Sequence, residues 1–209
     1  MSILVLTSDT LAVTPTAGSF EYSSPIIAAT PIGTQRGIVP TQQYYRLDSA
    51  LAGANVSTAQ SIFGVGVTLS ASTVYEFEFQ IALSKTAGVT SHSVALGFGG
   101  TATVNNILYT SNNFYNPVNP SLPASTTSIQ LSGVNTASST VVTNANSTAS
   151  IVWVFTVKGT VSINAGGTFI PQYTLSAAPG GAYSTVAGSY IRINPLSASG
   201  AATNVGTWA

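Results

Sequence analysis

The amino-acid sequence predicts an all-β protein: a two-sheet antiparallel sandwich, jelly-roll-like, with an extended N-terminal arm. Three observations lead there. Val, Ile, Thr, Tyr and Phe are common while Glu, Lys, Arg and Met are thin, a bias toward strands. Residues 74–83 alternate cleanly, with Tyr75, Phe77, Phe79, Ile81 and Leu83 on one side and Glu76, Glu78 and Gln80 on the other. A period of two marks a strand with one buried face. Gly and Pro recur at short intervals and cut the chain into short strands and turns.

Residues 1–40 read as the arm, because Pro15, Pro25, Pro31 and Pro40 rule out a long helix and interrupt any central strand. Short strands are expected at Ile3–Leu6 and Ser19–Tyr22. Residues 41–209 form the sandwich. Gln42–Leu51 leads into it, and Thr58–Phe63 is the best place for one helical turn. Strands follow at Val74–Leu83, Ser93–Phe98 and Thr101–Tyr109. The stretch Asn105–Ser150 reads as exposed loops with one or two short strands, such as Ser139–Thr143. Ile151–Val157 is apolar at every position but one, so it should be a central strand covered on both sides. Gly159–Ile163 extends it. Thr168–Ser176 contains Pro171, which places that strand at an edge or bulge. Gly188–Pro195 is the last strand, and the chain closes with Val205–Trp208.

The 209 residues are 44% hydrophobic, enough for a core, yet only 5% are charged, against about 25% in an ordinary soluble protein. Five basic and five acidic residues cancel to a net charge of zero. Ser, Thr, Asn, Gln and Gly must therefore cover the surface. Such a surface has little repulsion to keep copies apart, so association is expected. Nucleic acid is excluded as a partner, because its binding relies on many Lys and Arg neutralising phosphates. Membrane binding is also not expected: there is no basic amphipathic helix and no apolar run of roughly 18 residues. Cysteine is absent, so disulfides and the usual Cys/His zinc sites are excluded.

Candidate chemistry is sparse. His92 is the only histidine, and nothing places Asp9 or Asp48 beside it for a Ser-His-Asp triad. It reads as a surface or loop histidine. Glu76 and Glu78 share a strand face, and a retaining glycosidase needs two carboxyl groups about 5 Å apart. Gln80 stands where a third acid would be expected, and the neighbouring aromatics face the other way. The pair therefore reads as a solvated or interface-facing strand surface. Gly97–Gly100 and Gly64–Gly66 lack the following helix and Lys of a phosphate loop and read as turns. No catalytic, cofactor-binding or metal-binding residue is assigned, and no cofactor is expected. The aromatics Tyr44, Tyr45, Trp153, Phe155, Phe169, Tyr173, Tyr190 and Trp208 are the candidates for a subunit interface; for Tyr44, Tyr45 and Trp208, which lie near predicted loops or ends, capping the core and contact with a glycan are the alternatives.

The run Gly159–Leu175, then Gly188–Ile193 and Gly206–Trp208, resembles the terminal domain of many bacteriophage structural and fibre proteins. Those domains are trimeric jelly rolls of the tumour-necrosis-factor and complement-head type. Phe77–Leu83 followed by Ala95–Thr103 fits the same pattern. Leu11, Pro15, Gly18, Glu21-Tyr22 and Arg36-Gly37 are similar to a connector that precedes this domain in phage fibres, except that Ser23-Ser24-Pro25 follows where the family has Asp-Gly. The resemblance implies a homotrimer on the outer surface of a phage virion, in contact with other virion proteins of the capsid or tail, and no reaction. A capsid decoration or cement protein, or a short head fibre, is the expected role. A tail-fibre or tail-spike tip that binds a host surface glycan or receptor is the alternative; an arm of only about 40 residues disfavours a whole long fibre.

Overall fold

The computed structural model describes residues 5–116, 129–200, 205, 206 and 208. All regular structure in these residues is β. In chain order the strands are β1 (Phe20–Ser23), β2 (Ile26–Ile32), β3 (Gln35–Val39), β4 (Gln43–Arg46), β5 (Leu51–Ala52), β6 (Gln60–Ser61), β7 (Val67–Leu69) and β8 (Thr73–Lys85). They continue with β9 (Val94–Gly99), β10 (Thr103–Asn116), β11 (Ile129–Val134), β12 (Thr140–Val141), β13 (Ile151–Ala165), β14 (Gly167–Leu175), β15 (Ser184–Thr185) and β16 (Tyr190–Ala198).

Two antiparallel sheets pack face to face. The front sheet runs β11-β10-β13-β8; beyond β8 come β15 and β16 end to end, then β5 and β4. The back sheet runs β12-β9-β14, with β6 and β7 end to end on the far side of β14. From β4 onward the chain alternates between the sheets, front to back and back again, which is the jelly-roll pattern. The β10–β11 pair widens the front sheet beyond β13.

The alternation in β8 does what it predicts. Tyr75, Phe77, Phe79, Ile81 and Leu83 are buried against the back sheet. They meet Val94 and Leu96 of β9, Phe169, Tyr173 and Leu175 of β14, and Trp153, Phe155 and Val157 of β13 in one core. Phe98 and Phe169 stack with centroids 4.5 Å apart, and Phe77 meets Phe98 edge-on at 5.3 Å. Such pairs add about 0.5–1.5 kcal/mol each beyond the area they bury.

β13 is central, paired with β10 on one side and β8 on the other. Its outward-facing Val152 and Val154 are buried within the chain itself, so half of this strand is covered on both faces. Of its other outward residues, Thr156, Lys158 and Thr160 reach solvent, while Ser162 is buried.

Five expectations need correction. Thr58–Phe63 makes no helical turn; Gln60 and Ser61 pair with Tyr173 and Gln172 as β6, because the edge of β14 offers them a ladder. Residues 20–39 do not run as an extended arm; β1, β2 and β3 form their own antiparallel sheet. The prolines fit that sheet: Pro25 sits in the β1–β2 turn, and Pro31 falls where the β2–β3 register slips between Ala29 and Ile32. Val5 and Leu6 belong to no strand, and Ile3 lies outside the described residues. Pro171 is on neither an edge nor a bulge. Its carbonyl accepts from Ile62 N at 3.0 Å, so its N-side faces the break between β6 and β7, where no ladder carbonyl is waiting. The loops expected across Asn105–Ser150 contain β11 and most of β10; Pro117–Pro123 lies outside the described residues.

Candidate functional site

The outer face of the front sheet carries the one concentration of charge on the sandwich. Strand register sets Tyr44 of β4 opposite Arg192 of β16, Arg192 opposite Glu78 of β8, and Glu78 opposite Lys158 of β13. These four side chains form a straight row across four strands. Arg46, Tyr190 and Gln80 make the row on one side; Asn194, Glu76 and Thr160 make the row on the other.

Glu78 is the hub. Its Oε2 accepts from Arg192 Nη2 at 2.9 Å and from Lys158 Nζ at 3.0 Å, and its Oε1 accepts from the Tyr190 hydroxyl at 3.2 Å. Burial pushes the carboxyl pKa up, but the hydrogen bonds from Lys158, Arg192 and Tyr190 and the Arg192 charge outweigh it and hold Glu78 below the ordinary value. Burial and the Glu78 carboxylate together raise the Tyr190 hydroxyl. Tyr44 stacks on Tyr190 with centroids 5.7 Å apart and stays 56% exposed. A depression of about 240 Å³ opens on the same face, lined by Pro40, Gln42, Glu76, Phe77, Glu78, Lys158, Arg192 and Asn194.

This arrangement can bind but is ill suited to acid catalysis. Glycoside hydrolysis needs one carboxyl kept protonated near neutral pH. Glu78 is instead held ionised with both oxygens occupied. Tyr190 reaches the acid-bearing face from the adjacent β16, and Tyr44 from β4 beyond it. Sequence reasoning identified Glu76 and Glu78 but missed the partners. The parity of Arg192 between Ile191 and Ile193, and of Lys158 after Val157, gave the face each occupies; only the register between strands could align them.

A second cluster closes one end of the sandwich. Lys85 is 2% exposed, and its ammonium donates to the carbonyls of Gly88 at 2.7 Å, Thr148 at 2.5 Å, and Ala87 and Ala149 at 3.3 Å. His92 is not a surface histidine: it is 1% exposed. Its Nδ1 lies 2.7 Å from the Thr90 carbonyl and its Nε2 lies 2.8 Å from the Tyr183 hydroxyl. Nδ1 therefore donates and Nε2 accepts. No carboxylate meets the ring, so no triad exists there. Burial lowers the His92 pKa, the Thr90 carbonyl raises it, and the Lys85 charge lowers it further. The Tyr183 ring lies between the two basic groups, 5.9 Å from the Lys85 ammonium.

A third feature is an apolar groove of about 340 Å³ between β4 and β7, lined by Tyr45, Phe63, Val65, Phe169, Ile191 and Ile193 among others.

The interface candidates divide in two. Trp153, Phe155, Phe169 and Tyr173 are at most 1% exposed and pack in the chain's own core, so the core, not a subunit interface, is their place. Tyr44, Tyr45 and Trp208 are exposed and Tyr190 is half-buried at the surface. Gly97 and Gly99 lie in β9, and Gly64 and Gly100 turn the chain with positive φ. Among the described residues no group of His, Cys, Asp and Glu is gathered as a metal site, and no helix is long and apolar enough to cross a membrane. No family model matches the chain, and no curated protein matches its sequence.

Proposed function

We propose that this chain is a non-enzymatic structural protein of a bacteriophage particle: a homotrimeric capsid decoration or cement protein, or a short head fibre, on the outside of the shell. The distribution of charge carries this reading. Asp9, Glu21 and Arg36 precede the sandwich, and Lys85 is buried. The six remaining charges, Arg46, Asp48, Glu76, Glu78, Lys158 and Arg192, all lie on the outer front face or its rim. The rest of the sandwich surface has none. Uncharged Ser/Thr/Asn-covered surface is cheap to bury against sister copies or a shell, whereas burying charge costs several kcal/mol per ion unless it is well paired. Assembly through the uncharged faces leaves the charged face in water.

The sequence resemblance to phage jelly-roll domains supports the viral setting, and the jelly-roll strand path is compatible with it. Light scattering on the purified chain tests the assembly; a mass of three chains is expected, and a stable monomer overturns the trimer. Antibody labelling of intact particles tests the place. Many copies over the head support decoration, while a few at the tail favour the adhesin role.

A further inference from the structure

We infer that the open face of the small sheet β1–β3 is where one copy of this chain docks on the next, with Phe20 of one copy seated over Gly37 of its neighbour. This rests on the reading that copies of the chain assemble, and adds the surface on which they meet.

The small sheet carries its side chains the wrong way round for a sheet that stands in water. Ile26, Ala28 and Thr30 of β2 are buried, so their face is covered. The charged residues of the sheet lie on that face. Glu21 stands opposite Ala28, and its carboxylate accepts from Arg36 Nε at 2.8 Å, from Arg36 Nη2 at 3.0 Å and from the Ala12 N–H at 2.7 Å. The Arg36 and Glu21 side chains are only 17% and 15% exposed. Alternate residues point the other way. Register sets them in two rows, Phe20–Ala29–Gly37 and Tyr22–Ile27–Val39. Phe20 is 67% exposed, Gly37 is exposed, and the other four are partly exposed. None of the six is charged or an amide. An antiparallel sheet with one face in water normally turns its polar residues there, and an exposed apolar patch of this kind marks a contact surface.

The shape of the first row points to a second copy as the occupant. The row falls from an aromatic ring on β1, through a methyl group on β2, to no side chain on β3. A Cβ at Gly37 would have no described atom within 4 Å, so the β3 edge is bare where the β1 edge carries a ring. The face thus holds both halves of a complementary pair, at opposite edges. A head-to-tail contact lays the ring of one copy over the bare edge of the next, and contacts of that type close into a ring of copies. With no charge on the face, no ion has to be stripped of water to cover it. A patch three strands wide and two rows deep covers on the order of 200 Å², below the roughly 800 Å² per partner of a standard interface. The small sheet therefore keys the contact, and uncharged sandwich surface supplies the remaining area.

The chain has no cysteine, so an introduced disulfide can report the contact. In the full chain carrying Phe20→Cys and Gly37→Cys together, the two positions of one copy stand roughly 10 Å apart across two strand spacings. That exceeds the roughly 7 Å a disulfide can span, so only separate copies can be joined. Oxidation should give a covalent species of three chains on a non-reducing gel, while each single variant stays at one chain. Gly37→Lys should weaken assembly at least tenfold in a dilution series followed by light scattering. Leu108→Lys, at an exposed position opposite Thr160 on the outer front face, should not. Both target positions are exposed, and a β-sheet circular dichroism spectrum unchanged from the parent establishes that each variant folds. A solution trimer that forms no such disulfide, or that Gly37→Lys leaves intact, overturns this docking face while the trimer stands. Disulfide-linked pairs from a chain whose solution mass is two copies would keep the face and sink the trimer. A chain that is single at every concentration, but whose Gly37→Lys variant no longer attaches to particles, would give the face to another virion protein and overturn docking between copies.

Discussion

Lys85 sits in a ring of four backbone carbonyls with no carboxylate among its bonded partners. Its ammonium ties the 87–88 turn to residues 148–149, two segments far apart in the chain. Lys85→Met leaves those carbonyls without their donor, so a loss of at least about 2 kcal/mol is expected in urea denaturation. Arg46→Met is the contrast. Arg46 pairs with Asp48 in the open, where both side chains are about half exposed or more, and a change within about 0.5 kcal/mol is expected. His92 gives the fold a pH dependence. Its folded pKa lies below the ordinary 6.5 of a histidine, so the unfolded chain takes the proton first. Stability is complete above about pH 6.5 and falls as the pH drops through that value toward the folded pKa. Glu78 and Glu21 are also lowered, from 4.5; their contribution is present above that pH and is lost only below it. Denaturation midpoints measured from pH 8 to 3 should therefore fall in two stages, and His92→Gln should remove the first.

At the scale of elements, β13 is the spine. It pairs with β10 and β8 along most of its length and contributes Trp153, Phe155 and Val157 to the core. Its interior glycine has a steric reason: a Cβ on Gly159 would lie 2.4 Å from the Leu108 carbonyl and 2.5 Å from Tyr109 Cβ. Gly159→Val should cost about 1–3 kcal/mol through overpacking, read as a lowered melting temperature. β4 is the opposite case, paired on one side only and exposed at all four residues. Hydrogen exchange should find the amides of 151–161 among the slowest and those of 43–46 fast. Equal protection at both would contradict the register described.

At the scale of the molecule, burial of apolar surface, at roughly 25 cal/mol per Å², is the force available for assembly, since the sandwich surface outside the front face lacks charge. Association should therefore respond little to ionic strength. The mass by light scattering is expected to be the same in about 0.1 M and about 1 M salt. Dissociation on raising the salt would mean that ion pairs hold the copies together.

Much of this was legible in the chain. The period of two in β8 fixed which side chains enter the core, because a strand with one covered face buries only alternate residues. The apolar run at 151–157, broken only at Thr156, marked the central strand, because only a strand covered on both faces tolerates it. The low charge defined the character of the surface. What a strand pairs with is a different matter, since partners distant in sequence are chosen by packing. Register alone aligned Glu78 with Arg192 and Lys158, and brought Tyr44 and Tyr190 to the acid-bearing face. The same long-range packing buried His92 against Tyr183, drew Lys85 into its carbonyl ring and turned the expected arm into a small sheet. Composition and periodicity thus determined the fold class and the core, while only the tertiary structure decided the site, because periodicity reports a residue's face and not its neighbour.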